Sequence, residues 1–322
     1  MKNITGFGDT RFWIGVVEDR NDPMKMGRVR VRIFGIHSDK LVLDEKSGEG
    51  IPVDGLPWAH PIMPITSASM NGIGDAPIGP VEGTWVFGVS LDGDKFQMLA
   101  YLGTLPGNPD TEPQQSGFFD TEGGIKAADR PKRPDDQVEK YPKKAYLNEP
   151  DTNRLARNEK ISQTIVDKKK KSVDTNVSTS TGQTWNEPQT PYAAKYPFNH
   201  VKESESGHVI EIDDTPNAER LHTYHRSGTF EEIHPDGTKV EKVVKDNYEI
   251  VLGNDYVHIK GTVNVTIDGN ANIYTKGNVT QKVDGNVTET VAGNVTRNVG
   301  GTYTVQSGGN MTFIAPNIHL NP

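Results

Sequence analysis

The chain has 322 residues, a formal net charge of −8, no cysteine, 33 glycines and 21 prolines. Without cysteine it has no disulfide framework, thiol nucleophile or cysteine-based zinc site, and the acidic balance argues against nucleic acid as a partner. This residue mix favours a turn-rich, all-β protein. Because the first residues lack the apolar core of a signal peptide and no run of ~18 apolar residues occurs, we expect a soluble protein made in the cytoplasm.

The amino-terminal region, residues 1–110, is predicted to form an OB-fold barrel. Short β-like segments separated by turn residues lie at 12–19, 28–35, 57–62, 83–91 and 96–103. Five strands in so short a stretch suit a small closed barrel. In the second segment apolar residues alternate strictly with the arginine row, which we define as Arg28, Arg30 and Arg32. The arginine row is either a solvated strand face or a surface that docks onto an acidic neighbour or onto another chain.

Residues 111–205 are predicted to be a proline-rich, basic linker. A thin apolar stripe over residues 152–171 predicts at most a short helix there. The basic run from Lys168 to Lys171 could bind an anionic surface, but a block of like charge is more typical of a solvated, exposed segment.

Residues 206–322 are predicted to be β-structure that ends in a regular repeat. Alternating segments lie at 208–213, 221–225, 228–233 and 239–244. From residue 253 a glycine returns every eighth residue, followed each time by Asn or Thr. Each octad is therefore a short strand with a corner that permits positive φ or close backbone approach. The octad corners are Gly253, Gly261, Gly269, Gly277, Gly285, Gly293, Gly301 and Gly309.

The octads carry an apolar stripe on one side. The residues two and six places after the glycine are mostly apolar, and an even separation puts them on the same side of a strand. Threonines three places after the glycine fall on the other side. The predicted core positions of the stripe are Val263, Ile267, Val279, Val283, Val287, Val291, Val295 and Val299.

One octad is too short to enclose a core, since single-chain solenoids need about two or three repeats of this size per coil. We therefore predict an intertwined triple-stranded β-helix in which three copies of the chain, a homotrimer, bury the apolar stripe together. Calcium-binding repeats have period nine and an Asp after paired glycines, which this sequence lacks. The Asn-Val-Thr copies match a glycosylation sequon, but the repeat generates that match by itself.

Three stretches, residues 13–38, 56–88 and 206–237, resemble in the same order the central spike proteins of T-even-like contractile phage tails. The spike modules of type VI secretion valine-glycine-repeat proteins are similar, but less so. The resemblance implies an OB-fold, then a triple-stranded β-helix needle, in a homotrimer on a trimeric baseplate hub at the tip of the tail tube. Docking onto that hub is one interpretation of the arginine row.

One departure from the family concerns catalysis. The T-even spike has a lysozyme domain between barrel and needle, whereas the intervening ~100 residues here are short for such a domain. Glu159 is the nearest candidate for a general acid, and its neighbours are polar. We therefore predict a virion protein without catalytic residues or cofactors, which punctures the host outer membrane mechanically. The alternatives are a spike that retains peptidoglycan hydrolase activity, or a receptor-binding tail fibre or adhesin.

At the carboxyl terminus, three copies of His319 would meet near the axis of a trimer. Three neutral imidazoles leave an incomplete metal shell, so we predict no metal there. A small capping protein at the tip is the preferred interpretation.

Overall fold

The structure is a computed structural model that describes residues 10–38, 47–48, 50–107, 149–161 and 177–319. The basic run from Lys168 to Lys171 lies outside these residues. The chain divides into two units, residues 1–266 and 267–322. The first unit contains all the strands assigned in the described residues, and the second continues the octads.

The amino-terminal strands form a closed barrel, in agreement with the sequence prediction. Antiparallel pairs link the strands in the order β1-β2-β3-β5-β4, except that β3 and β5 are parallel, and β4 pairs with β1 to close the barrel. This is the order of an OB-fold. The strands are β1 (Arg11–Asp19), β2 (Val29–Ile33), β3 (Trp58–Pro61), β4 (Trp85–Ser90) and β5 (Leu99–Thr104).

The barrel core is built from the inward residues of these alternating strands. In β2 the valines and Ile33 point inward and are at most 2% exposed. Gly88 in β4 leaves room for the Trp13 ring, because a Cβ at Gly88 would lie 2.1 Å from Trp13 Cζ2 and 2.3 Å from the Ala100 carbonyl oxygen. The core residues are Trp13, Val17, Val29, Val31, Ile33, Ala59, Val86, Leu99 and Tyr101.

A second, five-stranded antiparallel sheet follows the barrel, in the order β12-β11-β10-β9-β8. Its strands are β8 (Asn199–Glu203), β9 (Val209–Asp213), β10 (Arg220–Tyr224), β11 (Phe230–Ile233) and β12 (Lys239–Lys242). The four later strands match the predicted segments. The first, β8, falls in the predicted linker, so the sheet begins earlier than the expected boundary at residue 206.

The described parts of the predicted linker also contain short elements. Helix α1 (Arg154–Arg157) ends because Asn158 adopts a left-handed conformation. Leu155 of α1 packs on the second sheet with Val209, Tyr224, Phe230 and Val240. Strands β6 (Val177–Ser178) and β7 (Thr184–Trp185) form a two-stranded ribbon. The helix expected over residues 152–171 is thus one turn in the described residues.

Arg20 connects the barrel to the second sheet. Its guanidinium nitrogens donate to both carboxylate oxygens of Glu205, at 2.9 and 2.8 Å, and Nε lies 3.4 Å from a Glu82 oxygen. Glu205 belongs to the turn between β8 and β9, whereas Arg20 follows β1. A bidentate charged pair of this kind fixes orientation as well as distance.

Candidate functional site

The octad segment has a backbone that changes direction once per repeat. Bends recur at each corner glycine and the residue before it, from residues 252–253 to 308–309, and no further bend or turn lies between them in this described segment. The same spacing extends beyond the glycines, since bends also occur at Val244–Lys245 and at Pro316. One bend thus lies a period before the first corner and one a period after the last, at positions that carry no glycine.

The structure excludes one of the two roles expected for the corner glycines, a positive φ. All eight lie in the described residues, and none has a positive φ. A Cβ built on any of them meets no atom within 4 Å. Lys245 forms the same kind of bend without a glycine. A single chain therefore does not require glycine at these corners, either for a positive φ or for space.

The apolar stripe has no cover within a single chain. The eight predicted core residues are between 46% and 78% exposed, with Val283 and Val279 at the two limits. Every described residue of the segment from 245 to 319 is exposed. Exposed apolar stripes of this length mark surfaces that another molecule covers.

The second sheet buries several charged residues beside its apolar cluster and leaves three large apolar residues on its outer face. Ile210, Ile212 and Leu221 are about half exposed, and Leu221 lies directly opposite Ile212 in the register of β9 and β10. We call these three residues the outer apolar face. The sequence alternation predicted the strands but not which side would be covered.

The covered face of the second sheet holds an ionic network. Arg220 donates from Nη2 to Glu211 Oε1 at 2.7 Å and from Nη1 to Glu232 Oε1 at 3.0 Å. His222 Nδ1 lies 2.6 Å from Glu211 Oε2. The side chains of these four residues are at most 1% exposed. Adjacent strands bring the opposite charges together, so the network depends on strand register.

Burial acts to raise the pKa of Glu211, but the hydrogen bond from His222 and the charge of Arg220 outweigh it and lower that pKa to about 2. Further bonds satisfy both carboxylates: Asn199 donates to Glu211 at 3.0 Å, and Thr190 donates to Glu232 at 2.8 Å. The Glu211 carboxylate is thus held ionised and shielded from solvent, which is typical of a structural ion pair.

The arginine row is used within the chain. Arg28 pairs with Asp22 at 2.7 Å, Arg30 lies over the Trp58 ring at 4.6 Å, and Arg32 pairs with Glu18 at 2.8 Å. The Arg32 side chain is 0% exposed. The interpretation as a solvated face is therefore wrong for Arg32. Its guanidinium is buried against Glu18 and is not accessible to another protein. Docking by Arg28 and Arg30 stays a prediction.

The carboxyl groups considered for catalysis are Glu159 and its neighbour Glu149. Glu159 is 61% exposed and pairs with Arg157. The neighbouring Glu149 is buried, and hydrogen bonds from Arg154 and Arg157, against a smaller effect of burial, lower its pKa to about 2. A general acid needs a raised pKa, so Glu149 does not have the environment of one.

His319 is exposed in the single chain, and within the described ranges no group of three or more His, Asp or Glu could hold a metal ion. No helix in the described part of the chain is long and apolar enough to cross a membrane.

Comparisons with known proteins agree with this architecture. A family model for the Gp5 N-terminal OB domain matches residues 35–222, from after β2 into β10. A model for the Gp5 C-terminal repeat matches three copies over residues 269–292, starting at corner Gly269.

Two relatives were found among characterised phage proteins. Protein Gp5 of Vibrio phage KVP40 is 46% identical over 277 residues, which cover 77% of this chain and 61% of that protein. The pre-baseplate central spike protein Gp5 of Enterobacteria phage T4 is 47% identical over 113 residues, which cover 35% of this chain and 19% of that protein. The chain thus spans less than two thirds of either relative. With the matched barrel and repeats, these similarities show that the chain belongs to the Gp5 family of central spike proteins.

Proposed function

We propose that the chain is a structural, homotrimeric spike at the tip of a contractile tail, seated on a trimeric hub in the virion baseplate. The observation that carries this proposal is the uncovered apolar stripe of the octads in a member of the central spike family. Three copies that wind together would bury the stripe in a shared interior and pair every inner strand edge.

The outer apolar face supports the same assembly. Ile210, Ile212 and Leu221 lie in strands that lead, through β12 ending at Lys242, into the first octad bend at Val244–Lys245. A partner surface on the sheet and one on the octads therefore follow each other directly along the chain. Three sheets that meet through these residues would extend the shared interior above the needle.

The action of such a spike is mechanical. Hydrogen bonds between chains make a β-needle stiff, so it transmits the work of the contracting tail to the host outer membrane, which it crosses transiently. A small protein is proposed to cap the tip near His319. We propose no catalysis, in keeping with the low pKa of Glu149 and the exposure of Glu159.

The test is the mass and stability of the purified full-length protein. We expect a solution mass of three times 35.4 kDa and a band that resists detergent until it is heated. A monomeric mass would refute the proposal. Clearing of a cell-wall gel would instead support the hydrolase alternative, and saturable binding to intact host cells would support the fibre alternative.

A matched pair of variants locates the interface. Val287→Asp places three carboxylates in the proposed interior, whereas Thr288→Asp adds the same charge on the opposite side of the same strand. We expect Val287→Asp to abolish the detergent-resistant trimer and Thr288→Asp to preserve it, because unpaired charges are costly in an apolar interior. Equal behaviour of the two variants would contradict the assigned stripe.

A further inference from the structure

The fourth residue after the corner glycine is apolar in most octads and polar in three consecutive ones. We call those three residues, Gln281, Glu289 and Arg297, the polar interruption. Apolar residues occupy the same position before and after them: Val257, Val265, Ile273, Val305 and Phe313. An acidic and a basic residue thus follow each other in successive octads of an otherwise apolar column.

This column belongs to the same side of the strand as the apolar stripe. Residues two, four and six places after the glycine share one face of an extended strand, as proposed for each octad. In the trimer the polar interruption would therefore lie inside the needle. A polar or ionic group in such an interior needs a specific partner.

The structure shows that residues of this column reach the next octad. Arg297 donates from Nη2 to Glu289 Oε2 at 3.2 Å and from Nη1 to the Tyr303 hydroxyl at 2.9 Å. The side chains of Arg297 and Glu289 are 59% and 57% exposed in one chain. Their charges complement each other across one repeat, and a neighbouring chain has access to them.

Three chains with a regular repeat need a sequence feature that fixes their axial alignment. Suppose that the three chains form a three-sided needle and that each chain passes to the next side after each corner. A given octad then lies beside the following octad of a neighbouring chain. The glycine corners and the valine stripe are almost unchanged when one chain slips by eight residues. They bury apolar surface well in every such alignment but specify none of them.

We propose that the polar interruption sets the axial register of the three chains, an inference that rests on the proposed trimer. In the correct alignment Glu289 of one chain lies beside Arg297 of a second, so each interior charge gains a partner on a neighbouring chain in addition to the pair within its own chain. A slip of one octad places Glu289 beside Glu289, or beside Val305. A single polar position inside an apolar seam specifies alignment by the same physics in coiled coils.

Cysteine pairs can read the register, because the natural chain contains no cysteine. Neighbouring strands lie about 4.8 Å apart, within the Cα separation of a disulfide. Thr280 and Thr288 occupy the same position of successive octads, on the side opposite the stripe. The double variant Thr280→Cys/Thr288→Cys should therefore form interchain disulfides in the correct register. The single variant Thr280→Cys should form them only after a slip of one octad.

The decisive chain combines Thr280→Cys with Glu289→Val and Arg297→Val, which removes both charges from the column and leaves Gln281 as its one polar residue. After oxidation of the full-length protein, we expect about tenfold more disulfide-linked dimer than Thr280→Cys gives alone, corresponding to ~1.4 kcal/mol of lost register preference. The matched control exchanges the charges, Glu289→Arg with Arg297→Glu, and should keep the level of linked dimer low. The midpoint of thermal unfolding should not be lower for the valine variant, because replacing a buried ion pair with apolar residues is often neutral or stabilising.

The outcomes separate the two proposals. If the double-cysteine chain forms no interchain disulfide, the stacking of the proposed trimer is wrong, and this inference fails with it. If that chain links normally but the valine chain gives no more dimer than Thr280→Cys alone, the trimer stands and the polar interruption does not set its register. A charge-exchanged chain that slips as much as the valine chain would also overturn the inference.

Discussion

Removal of the Arg220 side chain should selectively destabilise the second sheet. The guanidinium lies between Glu211 and Glu232, at 2.7 and 3.0 Å, and all three side chains are at most 1% exposed. In Arg220→Met two carboxylates stay buried without their shared cation. Breaking a buried ionic group by removing one partner costs about 3–5 kcal/mol.

Hydrogen exchange measured by mass spectrometry suits this prediction, because it reports local stability inside an assembly. At about 1.4 kcal/mol for each tenfold change, amides of β9–β11 should exchange roughly two to four orders of magnitude faster in Arg220→Met. Peptides covering β4 and β5 of the barrel serve as an internal reference and should be unchanged.

The matched variant combines Arg220→Met with Glu211→Gln and Glu232→Gln. It removes the stranded charges while keeping hydrogen-bonding side chains, so most of the lost protection should return. The reasoning is refuted if Arg220→Met exchanges within about tenfold of the natural protein. It is refuted equally if the triple variant is no better protected than the single one.

Two further predictions concern acid and packing. The pKa of Glu211 falls from 4.5 in the unfolded chain to about 2 in the fold, so its stabilisation is complete above pH about 4.5 and is lost as the pH falls toward about 2. Protection of the amides in the second sheet, measured by hydrogen exchange at a series of pH values, should decline across this window. The decline should be shallower in Glu211→Gln. An unchanged slope in that variant would contradict the assignment of the pH dependence to Glu211. Gly88→Ala should cost about 1–3 kcal/mol, because the new methyl group overlaps the Trp13 ring, whereas a Cβ at Gly103 meets no atom within 4 Å. The midpoint of thermal unfolding, followed by the near-ultraviolet signal of the barrel, should fall for Gly88→Ala. It should stay close to that of the natural protein for Gly103→Ala. A similar fall of the midpoint in both variants would show that the Trp13 contact is not the cause.

The sequence predicted most of the strands because local signals agree with one another there. In β2 strict alternation and flanking turn residues gave both the strand and its buried face, Val29 to Ile33. In β9 the same alternation left the covered side undetermined, since Ile210 and Glu211 are both regular in spacing. The charged side is covered because β10 and β11 bring Arg220 and Glu232 beside Glu211, and that depends on pairing between distant segments.

Other parts of the site needed the structure for similar reasons. The arginine row was predicted as a face, but its partners Asp22, Glu18 and Trp58 come from turns and other strands. The octad corners were predicted from glycine alone, and so the bends at Lys245 and Pro316 were missed. Of the two reasons predicted for glycine at the corners, a positive φ is excluded, because none of the corners has one.

The uncovered octads have a consequence for how the protein forms. A segment whose apolar residues find no partner within their own chain gains little by ordering alone, so in the proposed trimer its folding and its assembly are one event. The rate of that event then depends on how often chains meet, and it rises steeply with protein concentration. Dilution before assembly should lower the yield of needles far more than it lowers the yield of folded barrels. Anything that holds three barrels together would speed needle formation by raising the local concentration of the chain ends.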